Sequence, residues 1–513
     1  MSHTSGYSPQ IQRRLLAAIG TVAAIYLLAA ALGWPQAATA LIASDATSSA
    51  EHAIVHEAPM PPPLWAVIPF GLLLSCIAVL PLMPATRHWW ENNRNRFLVA
   101  VSLGIATLAY YSLLHQAPIE RHFLKHELVE RGAGAVSRSL PGTVVQNAVL
   151  GEYVPFIVLL FALYTISGGI RISGDLPAHP LINTAFIAVG GILASFIGTT
   201  GAAMVLIRPL LETNSERKQV QHTVVFFVFI VCKCGGCLLP IGDPPLFLGY
   251  LQGVDFLWTL SLWQEWAFVN LLLLAIYYCW DRFFAHPRET KRDIRADERT
   301  IRDLKIQGLW PNAPLLILVV LAVALLDPSK PVPGTQWHAW LWLREIGQLS
   351  LVGLSLWLGS SAVRRDNRFS YTAIVEVAAL FLGIFICMQP ALQILDVRGA
   401  ALGIDTPAKF FWITGSISAV LDNAPTYLVF FKTAQALHAP GLQQAGVPVE
   451  MLTAISLGAV FMGAMTYIGN GPNFMVKAIA EESGVRMPSF FGFVLYSASV
   501  LVPVLILMQL LFF

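Results

Sequence analysis

The stretch IGDPPLF, residues 241–247, decides the fold, because it places a carboxylate and two prolines inside the apolar segment 220–251. A proline within a helix removes a backbone donor, and its ring clashes with the preceding turn. Irregular backbone within hydrocarbon is tolerated only where protein covers it or where it lines a cavity. The stretch therefore predicts a membrane helix that is broken at Gly242–Pro245.

A related stretch, IGNGPNF at 468–474, lies 227 residues further along the chain. A second pair of segments, ASFIGTTGAAMVLI at 194–207 and SAVLDNAPTYLVFF at 418–431, aligns without a gap at an offset of 224. Both pairs occur in the same order and at nearly the same offset. This pattern predicts an internal repeat.

The composition is that of a membrane protein. Of the 513 residues, 56% are hydrophobic and 12% are charged, whereas soluble domains carry about 25% charged residues. Apolar stretches of about 20 residues, the length that crosses a bilayer, recur along the chain. The net charge of +2 says little about partners. The one dense basic segment, 284–309, has a membrane explanation, so a nucleic-acid partner is not expected. The six cysteines lie in apolar segments, so a disulfide framework is not expected.

The hydropathy pattern predicts ten membrane spans and two re-entrant hairpins. The spans are 64–84, 97–115, 153–173, 220–251, 264–283, 311–327, 346–363, 372–391, 451–481 and 490–512, and the hairpins are 183–212 and 410–436.

The distribution of lysine and arginine orients these segments, because both residues collect in short cytoplasmic loops. The segment 34–63 contains neither residue and is placed outside, whereas the basic segment 284–309 falls inside. Loop 116–152 falls outside although it carries four basic residues, which have acidic neighbours: Arg121, Lys125, Arg131 and Arg138. Counting spans places the mouth of the first hairpin inside and that of the second outside, so the two halves are predicted to be inverted.

These observations predict an all-α integral membrane protein with two inverted-topology repeats, each of five transmembrane spans plus one re-entrant hairpin. An extra N-terminal helix or signal peptide precedes them. The predicted divisions are an N-terminal and extracytoplasmic segment, a first repeat, a basic cytoplasmic linker and a second repeat, at 1–63, 64–283, 284–310 and 311–513.

The N terminus allows two interpretations. Arg13 and Arg14 precede an apolar run from Leu15 to Trp34, which is followed by small residues at 37–40. This pattern fits a cleavable signal peptide as well as an uncleaved first helix. Both leave residues 35–63 on the same side of the membrane.

Polar residues at the two helix breaks and the two hairpin tips form the candidate site. Broken helices leave positive N-terminal ends and free carbonyls near the bilayer centre, and side-chain oxygens suit hard cations. The candidate ion- or substrate-binding residues are Thr199, Thr200, Asp243, Asp422, Asn423, Asn470 and Asn473.

Asp243 and Asp422 are the strongest candidates, since an ionisable group inside a membrane costs at least about 2.5–3.5 kcal/mol. Each carboxylate could bind a cation or a proton, or could instead cap a half-helix. Lys233 lies within an apolar span, and either neutralises one of these carboxylates or extends to the interface. No cofactor or resident metal is expected besides transported sodium or protons.

At these motifs the chain resembles the ion transporter superfamily, which includes sodium/proton antiporters, arsenite pumps and citrate or dicarboxylate carriers. IGDPP at 241–245 is similar to its signature after the first hairpin, and DNAPT at 422–426 to its motif in the second. The resemblance implies a scaffold region, a mobile transport region and a homodimer. The chain departs from the dicarboxylate carriers, whose hairpins carry Ser-Asn-Thr, where it reads Ile197-Gly198-Thr199 or Gly198-Thr199-Thr200, and Leu421-Asp422-Asn423.

The preferred hypothesis is a secondary transporter that exchanges a cation, with sodium first, against protons. The alternative is a citrate-like carboxylate transporter coupled to sodium or protons. Two acidic residues at the site argue mildly against an anionic substrate. A membrane-embedded enzyme is a distant third, since the sequence lacks a serine elbow and a zinc-protease helix. The expected location is the bacterial inner membrane, as a multi-pass protein in contact with the lipid bilayer.

Overall fold

A computed structural model describes residues 8–51, 60–81, 83–132, 134, 136–289, 302–467 and 470–513. In these residues the fold is mainly helical, and six helices are long and apolar enough to cross a membrane. A seventh is added if Thr372–Cys387 and Gln389–Leu402, bent by 43°, form one span. The predicted all-α membrane class is therefore confirmed. The inverted orientation of the repeats and the re-entry of the hairpins stay predictions.

The helices and strands are numbered here in chain order. Up to residue 280 the helices are α1 (Pro9–Ala31), α2 (Trp34–Glu51), α3 (Ile68–Val79), α4 (Arg87–Trp90), α5 (Asn93–Leu113), α6 (Ser139–Val145), α7 (Val154–Ser167), α8 (Pro180–Ile197), α9 (Thr199–Thr213), α10 (Gln221–Ile230), α11 (Pro244–Leu251) and α12 (Trp263–Trp280). Beyond residue 308 they are α13 (Leu309–Leu325), α14 (Leu343–Leu358), α15 (Ser361–Asp366), α16 (Thr372–Cys387), α17 (Gln389–Arg398), α18 (Pro407–Ser418), α19 (Asn423–Gln435), α20 (Val449–Phe461), α21 (Gly471–Glu482), α22 (Phe490–Tyr496) and α23 (Val502–Phe512). The strands are β1 (Ile119–Arg121), β2 (Glu127–Val129), β3 (Arg171–Asp175), β4 (Arg302–Gln307), β5 (Gln443–Gln444) and β6 (Val447–Pro448).

The chain divides into two compact units. Unit 1 comprises Met1–Ile166 and Pro311–Gly399, and unit 2 comprises Ser167–Trp310 and Ala400–Phe513. Each unit combines a stretch from the first half of the sequence with one from the second half. A compact unit is therefore not the same as a predicted repeat.

In unit 1, α5 packs along α16. The backbones approach closely, since a Cβ at Gly383 would lie 2.7 Å from the carbonyl oxygen of Ala100. Arg96 and Glu376 form an ion pair at 2.7 Å between these two helices. Small residues at a helix crossing allow such close packing in membranes, where burial from water does not drive association.

The N-terminal helices α1 and α2 belong to unit 1. Helix α1 packs against α14, and the Tyr26 hydroxyl donates to the Leu341 carbonyl at 3.1 Å. In α2, Thr39 donates to the Ala339 carbonyl, and Asp45 accepts from His126. Residues on both sides of the small-residue stretch at 37–40 thus contribute to the packing of this unit.

Matching element orders occur in the two halves. A single residue, Gly198, separates α8 from α9, and residues 419–422 separate α18 from α19. Further along, α10 is followed by a 3₁₀ turn at Cys234–Cys237 and then by α11, while α20 is followed by a 3₁₀ turn at Met462–Ala464 and then by α21. The breaks therefore recur near the offsets of the two sequence alignments.

Two predicted spans have different bounds in the structure. The span predicted at 153–173 is part of a continuous helical stretch, Ser139–Ser167, with a π-helical section at Gln146–Tyr153. A π-helical section widens the turn, but the backbone stays hydrogen-bonded. The span predicted at 346–363 ends at Leu358, and a separate short helix follows, capped by Ser360 through the Val363 amide.

Three antiparallel strand pairs, β1–β2, β3–β4 and β5–β6, were not predicted. Strand β4 lies in the segment 284–310, which was predicted to be a solvated linker, and pairs with β3. The described part of that segment is therefore partly ordered by a strand partner more than a hundred residues earlier in the chain. Residues 290–301 of the linker lie outside the described residues.

Candidate functional site

The candidate site lies in unit 2, where the helix after α10 is interrupted. Helix α10 ends at Ile230, and regular α-helix resumes only with α11 at Pro244. The prolines occupy the first turn of α11, where a proline nitrogen has no intrahelical bond to lose. The two prolines therefore begin a helix. The helix was predicted to break at Gly242–Pro245, but the interruption is longer and starts upstream, at residue 231.

Polar side chains from both halves of the sequence converge on the Asp243 carboxylate. The Lys233 ammonium lies 2.9 Å from Oδ2, and the Asn423 amide donates to the same oxygen at 2.6 Å. The Thr199 hydroxyl donates to Oδ1 at 3.1 Å, and the Asn470 amide approaches Oδ1 at 3.4 Å. The structure thus brings together five of the eight predicted residues.

The Lys233–Asp243 pair is fully enclosed, since the side chains of both residues are 0% exposed. Removing two charges from water is costly, and their attraction offsets this cost only when further hydrogen bonds satisfy both groups. The three uncharged donors around Asp243 supply such bonds to the carboxylate. Space for the ammonium comes from Gly463, where a Cβ would lie 3.2 Å from Lys233 Nζ.

Four helix N-termini meet at this carboxylate. Asp243 and Asn470 are the N-cap residues of α11 and α21, while Thr199 and Asn423 are the first residues of α9 and α19. A helix N-terminus carries a partial positive charge and favours anions. Together with the lysine, this arrangement makes an environment that stabilises a carboxylate.

The interrupted backbone is satisfied by side chains that the sequence analysis did not identify. The Gly235 carbonyl accepts from the Ser195 hydroxyl at 2.6 Å and from the Trp266 indole at 3.0 Å. The Asn270 amide donates to the Cys234 carbonyl at 3.2 Å. A tryptophan and an asparagine four residues apart in an apolar helix were the available signal, since buried polar side chains need partners.

Three predicted residues do not contact the Asp243 carboxylate. Asp422 caps α19 by accepting from the Ala424 amide at 3.0 Å, which was the alternative interpretation of this residue. Asn473 donates to the carbonyls of Gly463 and Thr466. Among the described residues, Thr200 makes no side-chain hydrogen bond, and Ile468 and Gly469 of the second motif lie outside them.

Two amide oxygens near the site are buried without a partner in the described part of the chain, Oδ1 of Asn423 and Oδ1 of Asn473. A buried acceptor without a donor costs about 1–3 kcal/mol. Such an oxygen is available to a cation or to the hydroxyl of a protonated carboxyl group.

The cysteines at 232, 234 and 237 are buried and free, and no metal-binding group of three His, Cys, Asp or Glu side chains occurs in the described residues.

The sequence profile of a family described as "Putative citrate transport" matches residues 133–513. This match covers most of the chain, including every residue of the site. The chain belongs to this family. No curated protein matches the sequence.

Membership of this family, together with the apolar helices, supports a secondary transporter that crosses the membrane several times. The resemblance to the ion transporter superfamily is thereby confirmed. The carboxylate alternative fits the description of the family better than cation/proton antiport does.

Proposed function

We propose that this protein is a secondary transporter of citrate-like carboxylates, coupled to protons at Asp243. The observation that carries the proposal is the set of anion-favouring groups around that side chain. Lys233, Asn423 and Thr199 all donate to it, and four helix N-termini surround it. A substrate carboxylate needs the same donors that Asp243 occupies.

Charge balance supplies the coupling. With Asp243 ionised, the Lys233–Asp243 pair carries no net charge. When Asp243 takes up a proton, the ammonium loses its partner, and one carboxylate of the substrate restores neutrality at the pair, while any further carboxylate is carried protonated or with a cation. Since an unbalanced charge in a membrane interior is expensive, proton and carboxylate bind together. In this scheme the proton goes to Asp243, and Lys233 and Asn423 turn to the substrate.

Two acidic residues at the site argued against an anionic substrate, but the position of Asp422 weakens that argument. This carboxylate accepts from the backbone of its own helix and does not contact the ring of donors around Asp243. Asp243 is therefore the carboxylate that these donors contact, and Lys233 matches its charge.

The inverted repeats and the re-entry of the α8–α9 and α18–α19 helix pairs are part of this proposal. Support comes from the helix breaks that recur near matching offsets. A homodimer in a bacterial inner membrane, as the superfamily resemblance implies, completes the proposed arrangement.

Vesicles containing the purified protein test the proposal. We expect an inward proton gradient to drive accumulation of labelled citrate. Asp243→Asn imitates the protonated carboxyl group, so this variant should lose gradient-driven accumulation but keep exchange of labelled for unlabelled citrate. Asp405→Asn removes an exposed carboxylate of the same unit and should leave both activities unchanged. Gradient-driven accumulation by Asp243→Asn would contradict the coupling scheme.

Sodium/proton antiport is the second candidate, favoured by the unpartnered Asn423 Oδ1. This oxygen, an Asp243 oxygen and the Thr199 hydroxyl would hold a sodium ion, which prefers oxygen ligands, after Lys233 has moved away. Sodium pulses that dissipate an imposed pH gradient in citrate-free vesicles would support this candidate. Citrate uptake without any such sodium response would exclude it.

A further inference from the structure

A separate cavity of about 420 Å³ lies in unit 1, within the basic loop that the sequence topology places outside the membrane. Its volume falls in the range of small-molecule pockets, about 300–1,000 Å³. One wall is the β1–β2 hairpin, with Arg121 and Glu127, and the other is α6. We call it the anion cavity.

One face of the helical stretch that begins with α6 lines the anion cavity. Ser139, Gly142, Thr143 and Gln146 are spaced at i, i+3, i+4 and i+7, which places them on one face of a helix. A Cβ at Gly142 would meet no atom within 4 Å, so the cavity is open at this point. The Gln146 side chain has no hydrogen-bond partner among the described residues and is available to a ligand.

The charges in the cavity leave one guanidinium unmatched. Arg121 and Glu127 face each other across the hairpin and form an ion pair. Arg138 is exposed and has no ion-pair partner in the described part of the chain. Two arginines and one glutamate therefore leave a net charge of +1 in the lining.

We propose that the anion cavity is an external binding site for a small polycarboxylate, distinct from the Asp243 site. Guanidinium groups bind carboxylates through paired N–H donors, and Arg138 is free to do so. Extracytoplasmic loops of membrane proteins usually contain few lysines and arginines. The proposal gives a reason for the basic residues of this loop, which the sequence topology places outside. The ligand class rests on the proposed function, because citrate is the anion that the transporter would collect.

Binding of citrate to the purified full chain tests this proposal, measured in a Lys233→Met/Asp243→Asn background, which removes both charges of the buried pair and with them the lysine that would hold an anion at the Asp243 site. Arg138→Gln removes the unmatched charge, and Glu127→Gln frees Arg121 from its partner. A unit charge near contact distance in water changes affinity about five-fold. We expect Arg138→Gln to weaken binding and Glu127→Gln to strengthen it, each by about that factor.

Two further variants complete the design. Gly142→Leu fills the open side of the cavity and should abolish binding, while Arg87→Gln, which removes an exposed basic residue elsewhere in unit 1, should change nothing. Weaker and stronger binding in two variants of one site cannot both result from misfolding. Equal affinities in all variants, no citrate binding in the Lys233→Met/Asp243→Asn background, or equally tight binding of inorganic phosphate would overturn the proposal.

The outcome is separable from that of the proposed function. If vesicles take up citrate and all variants bind citrate with equal affinity, only the proposal for the anion cavity is wrong. If vesicles fail to take up citrate while the binding series has the expected order, the transport proposal fails and the cavity stands as a polycarboxylate site.

Discussion

The Lys233–Asp243 ion pair allows a quantitative test of how the site is held together. At 2.9 Å and an effective dielectric constant of about 20, the attraction between two unit charges is about 6 kcal/mol. Most of this attraction offsets the cost of desolvation, so the pair adds little net stability. Removing one partner is different, because it leaves the other charge buried alone and costs about 3–5 kcal/mol.

We therefore expect Lys233→Met and Asp243→Asn each to lower the free energy of unfolding by about 3–5 kcal/mol. The double variant should be more stable than either single variant, because no uncompensated charge remains. Detergent-induced unfolding of the purified protein, followed by tryptophan fluorescence, measures all four proteins. Only the stability should recover in the double variant, since gradient-driven citrate accumulation needs both groups.

The matched control is Lys409→Met, which breaks an exposed pair with Asp405 at 2.6 Å in the same unit. Solvent and salt screen such pairs, so no measurable loss is expected. If the double variant at positions 233 and 243 is as unstable as the sum of the two single variants, the two charges do not compensate each other and the reasoning is wrong.

Three further predictions concern other parts of the molecule. Gly463→Ala places a methyl group 3.2 Å from Lys233 Nζ, so citrate uptake should fall while the protein stays folded. Asp422→Asn should preserve both stability and uptake, because asparagine caps a helix as well as aspartate does. Burial acts to raise the pKa of Asp45, but hydrogen bonds from His126 hold it below 3.8. This contact therefore stabilises the fold above pH 3.8 and is lost as the pH falls through the lowered pKa, a change that thermal unfolding at a series of pH values measures.

Each of these predictions has its own control. Gly347→Ala adds a methyl group to a site with no atom within 4 Å and should leave uptake intact. Asp422→Ala should cost about 1 kcal/mol of stability, whereas loss of uptake in Asp422→Asn would return that carboxylate to the transport site. For Asp45, the stability difference between wild type and Asp45→Asn should be constant at neutral pH and vanish in acid. A stability difference that persists in acid would contradict the conclusion that the ionised Asp45 carboxylate stabilises the fold.

The centre of the site was predictable because burying polar groups in a membrane is expensive. Asp243, Asn423 and Lys233 lie in segments that are otherwise apolar, and the cost of placing them there requires partners. The same rule did not distinguish the role of Asp422, which caps a helix, from that of Asp243, which lies at the centre of the site. Aspartate is favoured both at helix N-caps and in ion sites, and only the position of the neighbouring helix decides between the two.

Other features depended on contacts that a local pattern does not contain. Ser195 and Trp266 donate to the Gly235 carbonyl, and that carbonyl is free only because the helix is interrupted there. Strands β3 and β4 come together from distant parts of the chain, and β3, which reads RISGD, gives no alternating apolar signal. The extent of the break was misjudged for a related reason, since prolines mark the start of a helix as readily as its interruption.

The repeat also shows how the fold and the chemistry differ. At the offset of 227, Asp243 corresponds to Asn470 and Lys233 to Val460, which is fully buried. The second half thus lacks both members of the ion pair. Since one buried charge without its partner costs about 3–5 kcal/mol, the charges are expected to be present or absent together. The helix N-termini that both halves contribute favour an anion, and the single pair makes its binding depend on one proton.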